Sequence, residues 1–591
     1  MIDVDKLLQK YKNKLKDETV SASALDTAAK LLKKILHQEE INYFIETHQH
    51  LQGFEFNDAV LDYFDFRFSV SNRDRARIPD QGRLLIVANH PIGSLDGLSL
   101  LKLVSEIRSD VKIVANTLLN QIEPLRELFI PIDVLSKNAV HIKGMRSIEK
   151  ALNEEKAVII FPTGEVSRIR PNGVRDGKWK TGFLHLAKKT SAPMLPIYIK
   201  ARNSAMFYSL SALFKPLGTV MLVNEMFNKH DKEIAFKIGK PIPWESIEKI
   251  DMPKKQLAKR MRKQVYLLGK KSKKKKNKEL FATIENIVHS AKSQLIRKEL
   301  KASELIGETN DGQLIYLFDH KPNSSVMREI GRLREISFRQ VREGTGTAID
   351  LDSYDRYYRH LILWDDQELE IVGAYRIGET AKILADKGRG GLYSHSLFDY
   401  QPELMPYLEN SIELGRSFIQ PRYWGKRSLD YLWFGIGAYL LKHPEIRYMF
   451  GPVSLSASYP EQAKQLICAF YDSLYGSEEP MAISRTPYAL NNLQRFEPYR
   501  LVDTEAAYKA AYAELKAELD ELGVRVPTLF KQYVELCHPG GCGFLAFNQD
   551  ENFSDCIDAL ILVDIEQIKA KKRSRYIESH RTLDAQQEQS A

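Results

Sequence analysis

At 591 residues the chain is too long for one hydrophobic core and calls for two or three domains. Hydrophobic content of 43% with 28% charged residues is that of a soluble folded protein, and a formal charge of only +9 gives no reason to expect a nucleic-acid partner. Four cysteines (Cys468, Cys537, Cys542, Cys556) exclude a disulfide framework and fit a reducing compartment. No second ligand pair accompanies Cys537-x4-Cys542, so no metal is expected.

Residues 1–78 place apolar and charged side chains at helical spacing, as in "ALDTAAKLLKKILHQEEINYFIE", and read as a helical segment. The first residues carry no apolar core behind their charges, so they are no secretory signal. No run of 18 or more apolar residues occurs in the chain, so membrane contact is expected to be peripheral. Between 79 and 250, "RLLIVA", "VKIVAN", "LFIPID", "AVIIFP", "MLPIYI" and "EIAFKIG" alternate with helical stretches, predicting an α/β domain with a largely parallel sheet. Residues 251–310 read as a basic linker around "KKQLAKRMRKQVYLLGKKSKKKKNKEL". The run at 270–278 suits an anionic membrane surface, each lysine contributing ~1 kcal/mol. From 311 to 570, "HLILWDD", "LEIVGAYRIG" and the helical "SLDYLWFGIGAYLLKHP" predict a second α/β domain; 571–591 is a polar tail expected to fray. "SAMFYSLSALFKPLG" (204–218) reads equally as a bilayer-surface helix or a core helix.

In the first α/β domain, "NHPIGSLD" puts His90 just after a strand and Asp96 at a helix start; "LFIPIDVLSK", "FPTGEVSR" with Glu165 and Arg168, and "APMLPIYI" come after it. Histidine suits removal of a proton from an attacking hydroxyl, and a carboxylate on its other nitrogen fixes the tautomer. In this order the blocks resemble the glycerolipid O-acyltransferase family over about residues 80–245. The resemblance implies that His90 is the base, Asp96 its orienter, and Glu165 and Arg168 substrate ligands. Five residues separate His90 from Asp96, one more than the family pattern, and a turn through Gly93 can absorb the extra residue. Thr163 stands where the family has Glu, and Val134 follows Asp133 where relatives have a phosphate-holding Arg. That second departure favours a lysolipid acceptor without phosphate.

The second α/β domain carries Arg334 and Phe338 in "LREISFRQVREGTG", and Asp352 and Asp355 in "DLDSYDRYYRHLIL". Arg376 lies in "IVGAYRIG", Glu413 and Arg416 in "SIELGRSFI", and Arg422, Gly425, Lys426 and Arg427 in "QPRYWGKRSLDYLW". Taken singly, Glu413 and Arg416 read as a surface helix pair and Asp352 and Asp355 as a helix cap. As an ordered series the blocks resemble the acyl-carrier-protein-dependent branch of the GNAT superfamily, acyl-homoserine-lactone synthases and ornithine N-acyltransferases, over about residues 315–565. The resemblance implies that Arg334, Phe338, Asp352, Asp355, Arg376 and Arg416 bind the substrate. It also implies that the loop from Arg422 to Arg427 takes the phosphopantetheine arm. Which carboxylate is the base stays open, with Glu413 the first choice.

The two domains in this order resemble the bifunctional ornithine-lipid synthases of bacteria. This resemblance implies an enzyme without a tightly bound cofactor, at the inner face of the cell membrane, using acyl carrier protein (or acyl-CoA) as donor. Its C-terminal domain would N-acylate ornithine with a 3-hydroxyacyl chain, and its N-terminal domain would O-acylate the lysolipid formed. Glycine, lysine or glutamine as acceptor, and a membrane-active lytic protein without catalysis, are the alternatives.

Overall fold

The computed structural model describes residues 33–580, apart from 35, 118, 120–121, 133–138, 172, 214, 230–231, 271–278, 492–494, 497, 499–504 and 554. The chain forms two compact units, Met1–His289 and Ser290–Ala591.

In the first unit the strands are β1 (Arg67–Ser69), β2 (Leu84–Ala88), β3 (Val111–Asn116), β4 (Phe129–Ile132), β5 (Ala157–Ile160), β6 (Arg168–Arg170), β7 (Gly173–Arg175), β8 (Met194–Lys200) and β9 (Glu233–Ile238). Seven of them make one sheet in the order β1-β9-β8-β2-β5-β3-β4, and β6 and β7 form a separate hairpin. Every pair in the sheet is parallel except β8–β9. A parallel sheet is buried on both faces, which is why β2 is apolar throughout. Leu84, Ile86 and Ala88 enter one core and Leu85 and Val87 the other. β1 arises inside the stretch expected to be wholly helical: between helices, three residues add to the sheet edge beside β9.

Two helices of this unit bear on its site: α1 (Ser94–Ser105) and α2 (Lys254–Leu268). α2 lies in the stretch expected as a linker, and it packs instead. Leu257, Ala258, Met261 and Val265 recur at helical spacing and are buried against the β2–β8 side of the sheet, while Lys254, Lys255, Lys259 and Lys263 point outward. Phe281 continues that core, and Arg260 Nε donates to Leu280 O at 2.8 Å. The first unit therefore runs on to His289, and the lysine run 271–278 falls outside the described residues. In 204–218, Phe207 and Tyr208 turn inward onto Val166 and Met221.

The strands of the second unit are β10 (Glu304–Glu308), β11 (Leu314–Phe318), β12 (Arg359–Asp365), β13 (Glu370–Glu379), β14 (Phe398–Tyr400), β15 (Ser411–Ile419), β16 (Tyr448–Leu455), β17 (Ala482–Ser484), β18 (Cys542–Asp550) and β19 (Cys556–Asp564). Eight form one sheet, β10-β11-β12-β13-β15-β16-β19-β18, with α3 (Ser325–Gln340) on one face and α4 (Ser428–Lys442) on the other. β15 and β16 are parallel and pair only at Ser411–Glu413, against Tyr448–Phe450; beyond that they splay. Gly451 sits at the fork, where an added Cβ would lie 2.0 Å from Leu414 O. The tail docks further than expected: Tyr576 and Ile577 are buried against α4, and the Tyr576 hydroxyl donates to Asp430.

If α2 belongs to the core, Met261→Ala should cost the first unit about 2–5 kcal/mol, read as a lowered urea midpoint. A solvated linker helix would leave the midpoint unchanged.

Candidate active sites

In the first unit β2 ends at Ala88 and delivers His90 to the start of α1. His90 Nδ1 lies 2.9 Å from Asp96 Oδ1. An ionised carboxylate only accepts, so Nδ1 carries the hydrogen and Nε2 is the basic nitrogen. The other Asp96 oxygen accepts from Ile92 N (2.9 Å) and Gly93 N (3.3 Å), so the carboxylate also closes the helix start. Gly93 has φ 105°, a conformation open to glycine, and this turn takes up the extra residue between His90 and Asp96.

A second buried carboxylate, Asp176, went unread in the sequence. The β6–β7 hairpin returns it to the dyad, where Oδ1 accepts from His90 N (3.2 Å) and Ser167 Oγ (2.5 Å). Oδ2 accepts from Trp179 Nε1 (2.9 Å), and Asp176 N donates to Tyr266 OH of α2 (2.8 Å). Only its place after a turn hinted at it; it lies 86 positions from His90, which hides the contact. Phe161 stacks on the imidazole at 4.1 Å. Glu165 and Arg168 lie beside this loop, 3.5 Å apart, and Ser167 N donates to His90 O at 2.6 Å. Thr163, in the position where Glu was expected, is buried. Asp133 falls outside the described residues. Burial opposes protonation of His90, but the charge and hydrogen bond of Asp96, with Asp176 behind, raise it above its ordinary 6.5.

The second unit gathers six of the expected residues into one buried cluster. Arg334 Nη1 donates to Asp355 at 2.8 Å. Arg376 Nη1 reaches both oxygens of Asp352 at 2.7 and 2.8 Å. Arg416 lies 3.7 Å from both Asp350 and Asp352. Glu413 and Arg416 belong to β15, not to a helix. Strand alternation alone would turn Arg416 to the face opposite Glu413; a bulge in the β13–β15 pairing, with Arg416 at φ 49°, brings it round. A non-glycine residue in that region costs about 1–3 kcal/mol. Arg376 and Arg416 both face the Tyr393 ring, at 5.0 and 4.9 Å. Burial works against the Asp355 charge, but Arg334 and Arg376 hold its carboxyl well below the usual range. His360, buried beside Arg334, is pushed down to about 3 and stays neutral. Phe338 packs edge-on against Phe553, which in turn lies under Arg416.

Glu413 is 1% exposed and its oxygens are occupied. Oε1 accepts from Ser394 N at 2.6 Å; Oε2 accepts from Tyr393 N at 3.0 Å and from the Tyr358 hydroxyl. Its geometry is that of a clamp on the 391–396 turn. Tyr358, Tyr393 and Asp350 are members of this site that the motifs did not mark. A cavity of about 440 Å³ adjoins it, lined by Met327, Leu351, Asp352 and Asp355 among others.

In the loop ahead of α4, Gly425 has φ 77° and Arg427 is exposed at the helix N-terminus. Lys426 Nζ sits 4.8 Å over the Tyr423 ring. Arg422 is turned away, in bridges to Glu368 and Glu370.

A family model described as an acyltransferase matches residues 16–280, and one described as an acetyltransferase (GNAT) domain matches 333–434. Glycine N(alpha)-acyltransferase of Bacteroides thetaiotaomicron is 31% identical over 309 residues, 50% of this chain and 90% of the relative. The lyso-glycine lipid O-acyltransferase of the same organism is 34% identical over 230 residues, 38% of this chain and 83% of the relative. The chain belongs to the aminolipid acyltransferase family. L-ornithine N(alpha)-acyltransferase of Rhizobium meliloti is a further relative, 30% identical over 233 residues, 38% of this acyltransferase and 70% of its own length.

If His90 is the base of an O-acyl transfer, it must be neutral to act, and its raised pKa predicts a rate that climbs with pH through an inflection above 6.5. Asp96→Asn should move the inflection downward, since only the weaker pull of Asp176 then opposes burial, and lower the plateau by roughly 10²–10⁴-fold. The same shift lets His90 stabilise the fold below its unfolded pKa, a contribution lost as pH rises through the folded value. Rate profiles of the two proteins check the direction.

Proposed function

We propose that the C-terminal unit N-acylates an amino acid with a 3-hydroxyacyl chain and the N-terminal unit O-acylates the hydroxyl of the lysolipid so formed. The observation that carries this reading is the presence in one chain of two polar sites of different chemistry, a His–Asp pair and a buried arginine cluster. His90 with Asp96 suits a hydroxyl nucleophile, since an imidazole held in one tautomer takes the proton as the oxygen attacks the thioester. The Arg334–Arg376–Arg416 cluster suits a free amino acid: Arg376 is fully buried, and its Nε and Nη2 have no hydrogen-bond partner among the described residues. Unused buried donors of a guanidinium fit a carboxylate.

Ornithine is the acceptor that the motif series implies. Glycine is the second reading, and one observation favours it. Asp352, Asp355 and Glu413, the carboxylates expected to hold a cationic side chain, are all engaged by partners inside the site. Relatives named for glycine N-acylation and for lyso-glycine lipid O-acylation cover 50% and 38% of this chain.

The donor in this reading is the acyl thioester of acyl carrier protein. Its phosphopantetheine arm would lie along the splay of β15 and β16, where backbone groups lack strand partners, with its phosphate toward the N-terminus of α4. Lys426 and Arg427 stand at that end and would steer an acidic carrier. The outward lysines of α2, with Lys270 and the run after it, would hold the enzyme on anionic lipid. Among the described residues no helix is long and apolar enough to cross a membrane.

The test is the purified full chain with a 3-hydroxyacyl carrier-protein thioester and equimolar glycine and ornithine, products read by mass. One N-acyl amino acid should dominate, and the glycine product is expected. Dominance of the ornithine product would reverse the acceptor assignment; no N-acyl product would remove the reading. Binding to anionic vesicles should weaken steeply between low and high salt, and salt-independent binding would contradict the electrostatic anchor.

A further inference from the structure

Glu413 already accepts from three donors of its own turn and sheet, so another destination for the proton of the incoming amine is worth seeking. The sheet register supplies one. Glu413 pairs with Phe450 across β15–β16, and Ser454 pairs with Asp558 across β16–β19. Phe450 and Ser454 are four residues apart on one strand and share a face, so Glu413, Ser454 and Asp558 share it too. β15 leaves β16 after the Glu413–Phe450 pair, so Asp558, one strand beyond β16, lies past the level of the fork.

Asp558 is 3% exposed, and its Oδ1 accepts from Ser454 Oγ at 2.7 Å. Around it stand Asp550 from β18, Cys556 on its own strand with Sγ at 4.0 Å, Arg416 from β15 and Glu343 from the turn after α3. Tyr393 feels Asp558, Asp550, Arg416 and Arg376 together, which ties this corner to the arginine cluster. That cluster supplies the independent sign of a ligand: the buried Arg376 has two nitrogens without a hydrogen-bond partner among the described residues, and Arg416 Nε has none either.

We propose that Asp558 accepts the proton released by the α-ammonium of the amino acid whose carboxylate Arg376 and Arg416 hold, while Glu413 is a positioning residue that fixes the Tyr393–Ser394 backbone. The proposal rests on the N-acyltransferase reading above. The ammonium passes one proton to the Asp558 carboxylate and becomes a neutral amine. Its lone pair attacks the thioester carbonyl; the C–N bond forms, the C–S bond breaks, and the remaining ammonium proton of the adduct leaves with the thiolate as thiol. Asp558 returns its proton to water. Burial lifts the Asp558 carboxyl to about 6, Asp550 adds to the lift, and the Ser454 hydrogen bond and Arg416 restrain it. Burial likewise lifts Glu343 to about 8, with Asp558 contributing. A carboxylate poised this close to neutrality is suited to proton acceptance.

The experiment measures N-acylation by the full chain between pH 5 and 9, with a 3-hydroxyacyl carrier-protein thioester and saturating glycine or ornithine. Wild type should show an acidic limb with its midpoint near 6. Asp558→Asn should lower kcat by about 100-fold or more and abolish the limb. Ser454→Ala removes a donor that favours the anion, so its limb should move to higher pH with the plateau largely kept; this variant decides the matter if Asp558→Asn does not fold. Glu413→Gln should lower activity without moving the limb. Activity of Asp558→Asn within about threefold of wild type, or an unmoved limb in Ser454→Ala, overturns the proposal. A wild-type protein that acylates neither amino acid instead overturns the reading beneath it.

Discussion

Taking a carboxylate out of water costs several kcal/mol unless hydrogen-bond donors or a cation replace the lost hydration. Both units are shaped by that requirement. Asp96 is fully buried and draws its donors from His90 and from the backbone of Ile92 and Gly93. The turn after β2 takes its form from those bonds. Glu413 draws its donors from the backbone of Tyr393 and Ser394 and from the Tyr358 hydroxyl, so it ties a turn to the middle of the sheet. Asp352 and Asp355 are compensated by Arg376 and Arg334, whose own burial would be prohibitive alone. Because each partner would be stranded without the other, a substitution in either network acts on folding as well as on chemistry.

The local part of this arrangement was legible in the chain. The six apolar runs of the first domain became β2, β3, β4, β5, β8 and β9; the central β2, β5 and β8 are buried at nearly every position, as a sheet covered on both faces requires, while β9 alternates. His90 and Asp96 are six positions apart and a single turn joins them, so the motif carried the contact. The arginines and aspartates of the second domain were legible only as an ordered series of motifs that resembles a known family, since the residues that pair lie 21 and 24 positions apart. Contacts made by register were not. Asp176 reaches His90 only through the β6–β7 hairpin, and Asp558 reaches the face of Glu413 only through two strand pairings. Helix α2 was hidden differently: its lysines dominate composition, while the four apolar residues that seat it occupy one narrow stripe. Arg416 needed a bulge, which no motif announces.

In the proposed reading the two sites divide acyl transfer by the nucleophile. A hydroxyl is a weak nucleophile whose proton must leave as it attacks, and an imidazole with one fixed tautomer and a raised pKa meets that need. An amino acid arrives as an ammonium already short of a lone pair, so its site needs an anchor for the carboxylate and a sink for one proton. In this reading the buried guanidiniums provide the first. In the proposed order, the hydroxyl that His90 activates is carried on the acyl chain installed by the other unit.

The most direct measurement is the lipid extract of a host without aminolipids expressing this chain as wild type or as His90→Ala. The account predicts a diacylated aminolipid from wild type and, from His90→Ala, its monoacyl N-linked precursor alone. Diacylated product from His90→Ala would contradict the division of labour between the two units, and an extract of wild type without any new aminolipid would contradict the account as a whole.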